Sequence, residues 1–542
     1  MLFRSGKADA GANILLDLQN SDEDPIFSVY DNGSIAGTAL TIDLTTLYNI
    51  KVGIGAGYSL TTGTYNLLFG SGSGYAITTG SNNIYFGRKA GESAVNNQNY
   101  NIAIGYLAGQ YVAGTENTIL GAATCFNGAL GSYNTIIGGG SGMVSTGSYN
   151  TVLGYVALRN STTASYNIAI GYKAIGNGVT TGNGYNLVIG NEAGYSLTSG
   201  AYNILQGYQA GYSLTTGADN IFVGRESGKL ATDASYNLAM GYQAMGNGVA
   251  TGAGYNVALG NQAGYRLTSG SNSILIGRNA GSSLTDKSYN IYIGSEAGRY
   301  SNTGTGAGSN IFIGANTGLS NTGDYSLFIG NYAGEINKGS FNIGLGYGTL
   351  NKSEGNNNTA IGLSAGWLLT TGTGNTTIGA NSMTNSTTGS YNTVMGHRAL
   401  SLGVLTGSYN LVLGIETGYS LTSGSYNILQ GYQAGYAITT QPFNIIIGTN
   451  AGQSLTTGDG TTTGGSNIAI GRGSLAVGTT SLYNIAIGNK AMGLGVVTNA
   501  ATSNIALGFQ SAYTLTTGAR NFFAGSSAGT NITTGSENVS IG

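Results

Sequence analysis

The chain has 542 residues, of which 96 are glycine and only 2 proline; 7% are charged and the net charge is −2. Charged residues make up about a quarter of an ordinary globular chain, so this composition argues against a set of ordinary domains; without a Gly-X-Y period it is not collagen, and its many Ile, Leu and Val argue against simple disorder. The 19 basic residues are spread along the chain with no cluster to neutralise phosphates, so nucleic acid is not an expected partner. One cysteine, Cys125, rules out an intrachain disulfide framework and reads as small filler in a glycine-rich turn. His397 is the single histidine, so no His-based metal cluster can form within one chain; no metal site and no cofactor are expected. No apolar run approaches the roughly 18–20 residues that span a bilayer, so no direct membrane insertion is expected of this segment.

Residues 1–46 differ in character from the rest of the chain. They carry an acidic turn at Asp22–Asp24, Pro25 at the start of a β-rich run, and a hairpin signal at Asp31–Gly33. We read 1–46 as a small N-terminal β module or connector and 47–542 as one repetitive array.

The array is built on the unit Asn-φ-x-φ-Gly, as in Asn101–Gly105, Asn186–Gly190, Asn220–Gly224 and Asn467–Gly471. Its closing glycines advance in steps of 17 through Gly190, Gly207 and Gly224, and again through Gly260, Gly277 and Gly294. A shift of 70 carries Gly171, Gly190, Gly207 and Gly224 onto Gly241, Gly260, Gly277 and Gly294, so blocks of four units have been copied. A unit this short has no room for a strand plus helix and shows no 3.6-residue apolar period. It fits one coil of an all-β parallel β-roll or β-solenoid: a strand, a glycine turn, a second extended segment and another turn. Glycine and asparagine are expected to supply the positive φ of the turns, with Asn side chains bonding along the ladder. About 29 coils at the spacing of paired strands would give a rod roughly 140 Å long.

The residue between the two apolar positions is itself mostly apolar. A solitary coil should show a polar residue there if alternation points it to solvent. On that argument Leu68, Tyr85, Ile119, Val188, Leu205, Phe222, Leu275, Phe312, Phe328 and Val412 face partner chains, and the protein is a homo-oligomer. After the closing glycine the pattern turns polar. Glu192, Gln209, Glu226, Gln243, Gln262, Glu296, Glu416 and Gln433, with Lys173 and Lys490, recur two residues on, as an exposed ladder of low charge density.

The units "NIAIG" and "NLVIG", followed by "GYQAGYSLTTG", resemble the head repeats of YadA-like trimeric autotransporter adhesins and the repeat arrays of phage tail-fibre proteins. The resemblance covers roughly 48–542. It implies a left-handed β-roll, three chains packed about a common axis, and an extracellular place on a virion or a bacterial surface. Within these 542 residues there is no heptad stalk, membrane-anchor segment or self-cleaving chaperone domain, so adhesin and viral fibre both stay open.

Sites for chemistry are scarce. "GIGAGY" (Gly53–Tyr58) and "GTGAGS" (Gly304–Ser309) imitate nucleotide loops but lack a following helix or a Lys-Ser/Thr pair. Glu192 and Glu226 lie two coils apart, about 10 Å at strand spacing, and face solvent, so no glycosidase pair is expected and the chain is read as a non-enzyme. Rows of tyrosine, among them Tyr166, Tyr185, Tyr202, Tyr236 and Tyr255, are explained by cross-strand stacking before any sugar ligand. Lengthened coils are the better binding candidates, placing Asn302 and Thr303 in one surface loop and Asp459, Thr461, Thr462 and Thr463 in another. The function expected is a structural fibre for cell adhesion or host-receptor binding, with a glycan or protein receptor as partner. The alternative is a monomeric β-solenoid with a structural or ice-binding role, whose threonine rows would meet a lattice.

Overall fold

The computed structural model describes residues 2–7, 13–19, 25–30, 35–36, 40–43, 47–94, 98–178, 181, 184–248, 252, 254–301, 308–456, 465–477, 482–495 and 502–542. The chain divides into two compact units, Met1–Ser271 and Asn272–Gly542.

The first unit begins with antiparallel strands. β1 (Leu2–Lys7) pairs with β2 (Asn13–Gln19), β2 with β3 (Pro25–Tyr30), β3 with β4 (Ile35–Ala36), and β4 with β5 (Leu40–Asp43). Pairing changes sense at β6 (Asn49–Val52), which is antiparallel to β5 but parallel to the next strand, with Ile50 opposite Leu67. From there the unit is a parallel β-solenoid. Each coil adds one strand of three residues in unbroken register, up to Val257–Leu259. The second unit, taken by itself, is also a parallel β-solenoid, from Ile274–Ile276 to Val539–Ile541. Twelve complete turns lie in the first unit and fifteen in the second, so the all-β repeat architecture read from the 17-residue period is the one observed.

One strand per coil, not two, is the first departure from expectation. Where a second extended segment was expected, "GYQAGYSLTTG" forms successive turns, with Ala210 N donating to Gly207 O at 3.3 Å and Leu214 N to Gly211 O at 3.0 Å. Coil-to-coil bonding nevertheless continues through these turns. Gly211 N donates to Ser227 O at 2.9 Å and Thr215 N to Thr232 O at 2.7 Å.

The motif asparagine holds the coils together. Asn203 Nδ2 donates to Asn186 Oδ1 at 3.1 Å and to Gly217 O at 2.9 Å, while Asn203 Oδ1 accepts from Asn220 N and Asn220 Nδ2, both at 3.0 Å. The amide is thus satisfied at both ends while fully buried. The same set of bonds joins Asn49, Asn66 and Asn83 at the start of the array and Asn504, Asn521 and Asn538 at its end. Serine replaces asparagine at Ser273 and Ser326, and its hydroxyl still accepts from the next backbone amide, at 3.2 and 3.3 Å.

A buried asparagine fixes the parity of the strand that follows it. With Asn203 inside, Leu205 two residues on is also inside, and Ile204 and Gln206 face outward. This corrects the assignment of the middle residue. Leu68, Tyr85, Ile119, Val188, Leu205, Phe222, Leu275, Phe312, Phe328 and Val412 are all fully buried inside the coil of a single chain. Thr377, a polar residue at the same middle position, is inside too, its hydroxyl 2.6 Å from that of Ser382. Outward rows are formed instead by the flanking apolar residues.

Positive φ is also distributed differently from expectation. The motif asparagines do not adopt it. Each typical coil places a residue with a large side chain in the left-handed region just before the motif Asn, as in Tyr202 (φ 58°), and another two residues after the closing glycine, as in Gln209 (φ 53°). Such residues cost about 1–2 kcal/mol each in backbone strain, offset here by the inter-coil bonds they allow. Asp219 N to Ala201 O (3.0 Å) and Gln209 N to Asn191 O (2.9 Å) are examples. The closing glycine is required on two counts. Gly207 has φ +132°, and a Cβ there would sit 2.5 Å from Gly224 O of the next coil.

Candidate binding surfaces

Four surface rows and one recess bear on function. The first row is the outward face of the strands. Phe69, Phe86, Ile104, Leu153, Ile168, Ile204, Ile221 and Met240 in the first unit are exposed, as are Ile274, Ile329, Ile343, Met395, Leu411, Ile428 and Ile487 in the second. Phe69 and Phe86 stack at 4.7 Å. Their neighbours in these rows include Thr135, Thr151 and Gln206, so the surface is apolar with polar interruptions.

The second row is the turn position two after the closing glycine. It is a bonded ladder rather than a set of free charges. Gln209 Nε2 donates to Glu192 Oε2 at 2.8 Å, Gln243 to Glu226 at 2.7 Å, Gln262 to Gln243 at 2.9 Å and Gln433 to Glu416 at 2.9 Å. Alternation of amide and carboxylate keeps like charges from adjacent coils. Cations flank the acids: Lys229 is 3.5 Å from Glu226, Arg278 is 2.9 Å from Glu296, and Arg398 is 2.9 Å from Glu416. The Gln243 amide, then Lys229 and Arg225, hold the Glu226 carboxyl below the usual carboxylate range against partial burial. Burial opposes ionisation of Glu296 most, yet Arg299, Asn279 and Arg278 together outweigh it and lower that carboxyl as well. These groups are stably ionised, which does not suit a general acid.

The third row is aromatic. Tyr133, Tyr149, Tyr166, Tyr185 and Tyr202 form one continuous stack with centroid separations of 4.8, 4.9, 4.8 and 5.2 Å. Interior rings of such a stack have both faces covered and present only their edges. They cannot take a sugar ring face to face. In the adjoining row the Arg225 guanidinium lies between two tyrosines, 5.9 Å from Tyr208 and 5.5 Å from Tyr242.

The fourth row is threonine. Thr198 Oγ1 donates to Thr215 O at 3.0 Å, Thr215 to Thr232 O at 2.9 Å and Thr370 to Thr387 O at 2.9 Å. Their hydrogens are committed to the next coil and are not presented outward.

Cys125 is buried and its thiol is pushed up by desolvation, which suits a packing role. The loop residues Asn302, Thr303, Asp459, Thr461, Thr462 and Thr463 lie outside the described residues. No group of three or more metal-ligating side chains occurs among the described residues.

The recess, of about 190 Å³, was not anticipated from the sequence. Asn450, Gln453, Arg472, Gly473, Ala476, Lys490, Gly493 and Tyr513 line it, drawn from four successive coils. The row five residues after the closing glycine carries Tyr419, Tyr436 and Gln453, then drops to Ala476 and Gly493 before returning to Tyr513. Elsewhere among the described coils this row never runs two Ala or Gly residues together. That pair is the sequence signal, visible only once the coils are aligned on their closing glycines.

No family model matches the chain, and no curated protein matches it.

Proposed function

We propose that the chain is the shaft of a homo-oligomeric extracellular fibre on a virion or a bacterial surface, acting by adhesion rather than by catalysis. The observation that carries this reading is the outward face of the strands. Ile204, Ile221, Ile274 and their equivalents repeat coil after coil with little charge among them, and long apolar strips are rare on solitary soluble proteins. Copies of the same chain are the economical cover, because the face and its partner then share one repeat and stay in register. Three copies and a left-handed coil follow the resemblance to YadA-like heads and tail-fibre arrays. A rod bearing weak sites in several copies binds a host-surface glycan or protein through effective concentration rather than through one tight site.

Sedimentation of the purified chain tests the reading. A species of three chains is expected. Replacing Ile204 and Ile221 with Asp is expected to release monomers that keep the β-sheet spectrum. A stable monomer of the unaltered chain at micromolar concentration refutes it. The engaged threonine hydroxyls weigh against the lattice-binding alternative.

A further inference from the structure

We infer that the recess walled by Asn450, Arg472, Lys490 and Tyr513 binds one residue of an acidic sugar, of the hexuronic-acid class. Three independent features converge on that chemistry.

The first is charge. Between residues 417 and 536 the only acidic residue is Asp459, while Arg472, Lys490 and Arg520 are basic. Arg520 pairs with Glu537 at 3.2 Å, whereas no ion pair engages Arg472 or Lys490 among the described residues. They sit on adjacent coils, joined by Lys490 N donating to Arg472 O at 2.8 Å, and both side chains are exposed. In the ladder elsewhere, cations stand beside Glu226, Glu296 and Glu416. Here two cations adjoin with no carboxylate between them, and an anion from outside relieves their repulsion.

The second is an orphaned acceptor. At four other coil steps the next residue of the ladder donates to the one before it, as Gln209 does to Glu192 and Gln433 to Glu416, while Asn279 donates forward to Glu296. After Asn450 that position is Gly473, which has no side chain to donate. Gln453 has turned the other way, its Nε2 donating to Gln433 Oε1 at 3.0 Å. Asn450 Oδ1 is left buried without a partner among the described residues. A bare carboxylate or phosphate cannot satisfy it, because an acceptor needs a donor. A sugar hydroxyl supplies one.

The third is shape. The missing side chains at Gly473, Ala476 and Gly493 open a floor that Tyr513 closes at one end. Unlike Tyr419 and Tyr436, which stack on each other at 4.9 Å, Tyr513 faces Gly493 in the preceding coil rather than another ring. The recess has room for one ring-sized ligand, with a carboxylate toward Arg472 and Lys490, a hydroxyl toward Asn450 and the ring against Tyr513.

The test is titration of the intact protein with methyl β-glucuronide at low ionic strength, followed by saturation-transfer NMR, with methyl glucoside and inorganic phosphate run in parallel. The glucuronide is expected to bind at least tenfold more tightly than either. Arg472→Gln and Lys490→Gln are each expected to weaken it about tenfold; glutamine is native at the Lys490 row in Gln433 and Gln510. Ala476→Tyr restores the residue found at Tyr436 and is expected to abolish binding while leaving the fold unchanged by circular dichroism. No binding of the glucuronide, equal binding of the neutral glycoside, phosphate binding as tightly, or undiminished affinity in the Arg472→Gln, Lys490→Gln double variant overturns the inference. Assembly and binding are read separately. A monomer that binds keeps this inference and loses the fibre, and a trimer that does not bind does the reverse.

Discussion

Replacing Asn203 with alanine removes four hydrogen bonds from the interior of the first unit. Two are donated by its amide, to Asn186 Oδ1 and Gly217 O, and two are accepted, from the backbone and side-chain nitrogens of Asn220. Asn220 N–H and the Gly217 carbonyl lose the bonds that join them to this coil, and each buried orphan costs about 1–3 kcal/mol. The remaining two groups keep some partners, since Asn186 Oδ1 still accepts from Asn203 N at 3.0 Å and Asn220 Nδ2 still donates to Ala234 O at 2.7 Å. The expected loss is therefore about 2–6 kcal/mol, localised to one coil boundary. Serine, which stands in this ladder at Ser273 and Ser326, keeps an acceptor for the next amide. Asn203→Ser is accordingly expected to cost about half as much. Hydrogen exchange is the suitable assay, because in a linear repeat a weakened boundary opens locally before the whole array unfolds. Amides of residues 204–221 are expected to lose protection strongly in Asn203→Ala and moderately in Asn203→Ser, with distant coils unchanged. Equal protection in the alanine variant and the unaltered chain refutes the ladder as a source of cohesion. Equal damage by serine and alanine refutes the hydrogen-bond account of it.

Gly207→Ala combines a strained φ of +132° with a Cβ 2.5 Å from Gly224 O, and is expected to cost about 3 kcal/mol or more, seen as a lower denaturant midpoint. Phe222→Ala empties the coil interior and should cost about 3–5 kcal/mol by the same measurement. The outward Ile221→Ser should change the stability of an isolated chain little and instead weaken assembly in sedimentation. The carboxyl of Glu226 is held low in the folded chain, so the unfolded state takes up protons first as pH falls. Its contribution is present above the ordinary carboxylate range and is lost as pH drops through the lowered folded value. Thermal midpoints measured from pH 6 to pH 3 should fall less steeply in Glu226→Gln than in the unaltered chain, and parallel curves would contradict this.

The period of the array, its parallel stacking and the place of the Asn-to-Gly strand in each coil were legible because each rests on a residue with few alternatives. Only glycine fits at Gly207, and only a two-ended amide makes the bonds of Asn203. The facing of the strand was misread because apolar residues occupy all three of its positions, so hydropathy carries no parity. Parity is set by Asn203, a polar residue that alternation would ordinarily place in water. The turns were misread for a related reason. Tyr202 and Gln209 occupy conformations usually ceded to glycine or asparagine, and what selects them is bonding between coils 17 residues apart, which no local rule contains. The recess escaped notice because Ala476 and Gly493 are unremarkable in sequence and acquire meaning only beside Tyr436 and Tyr513.

The register of the solenoid bears on how such a gene changes. Because nearly every coil presents its neighbour with the same amides, carbonyls and asparagine, a cut between two such coils leaves faces that fit another such cut. Unequal recombination that drops or inserts whole units is therefore expected to yield a chain that still folds, whereas insertion of a single stray residue within a strand flips its parity. The shift of 70 residues that superposes one block on the next records events of this kind. Length is thus an inherited variable, adjustable in steps of one coil, and selection can tune reach without redesigning a core.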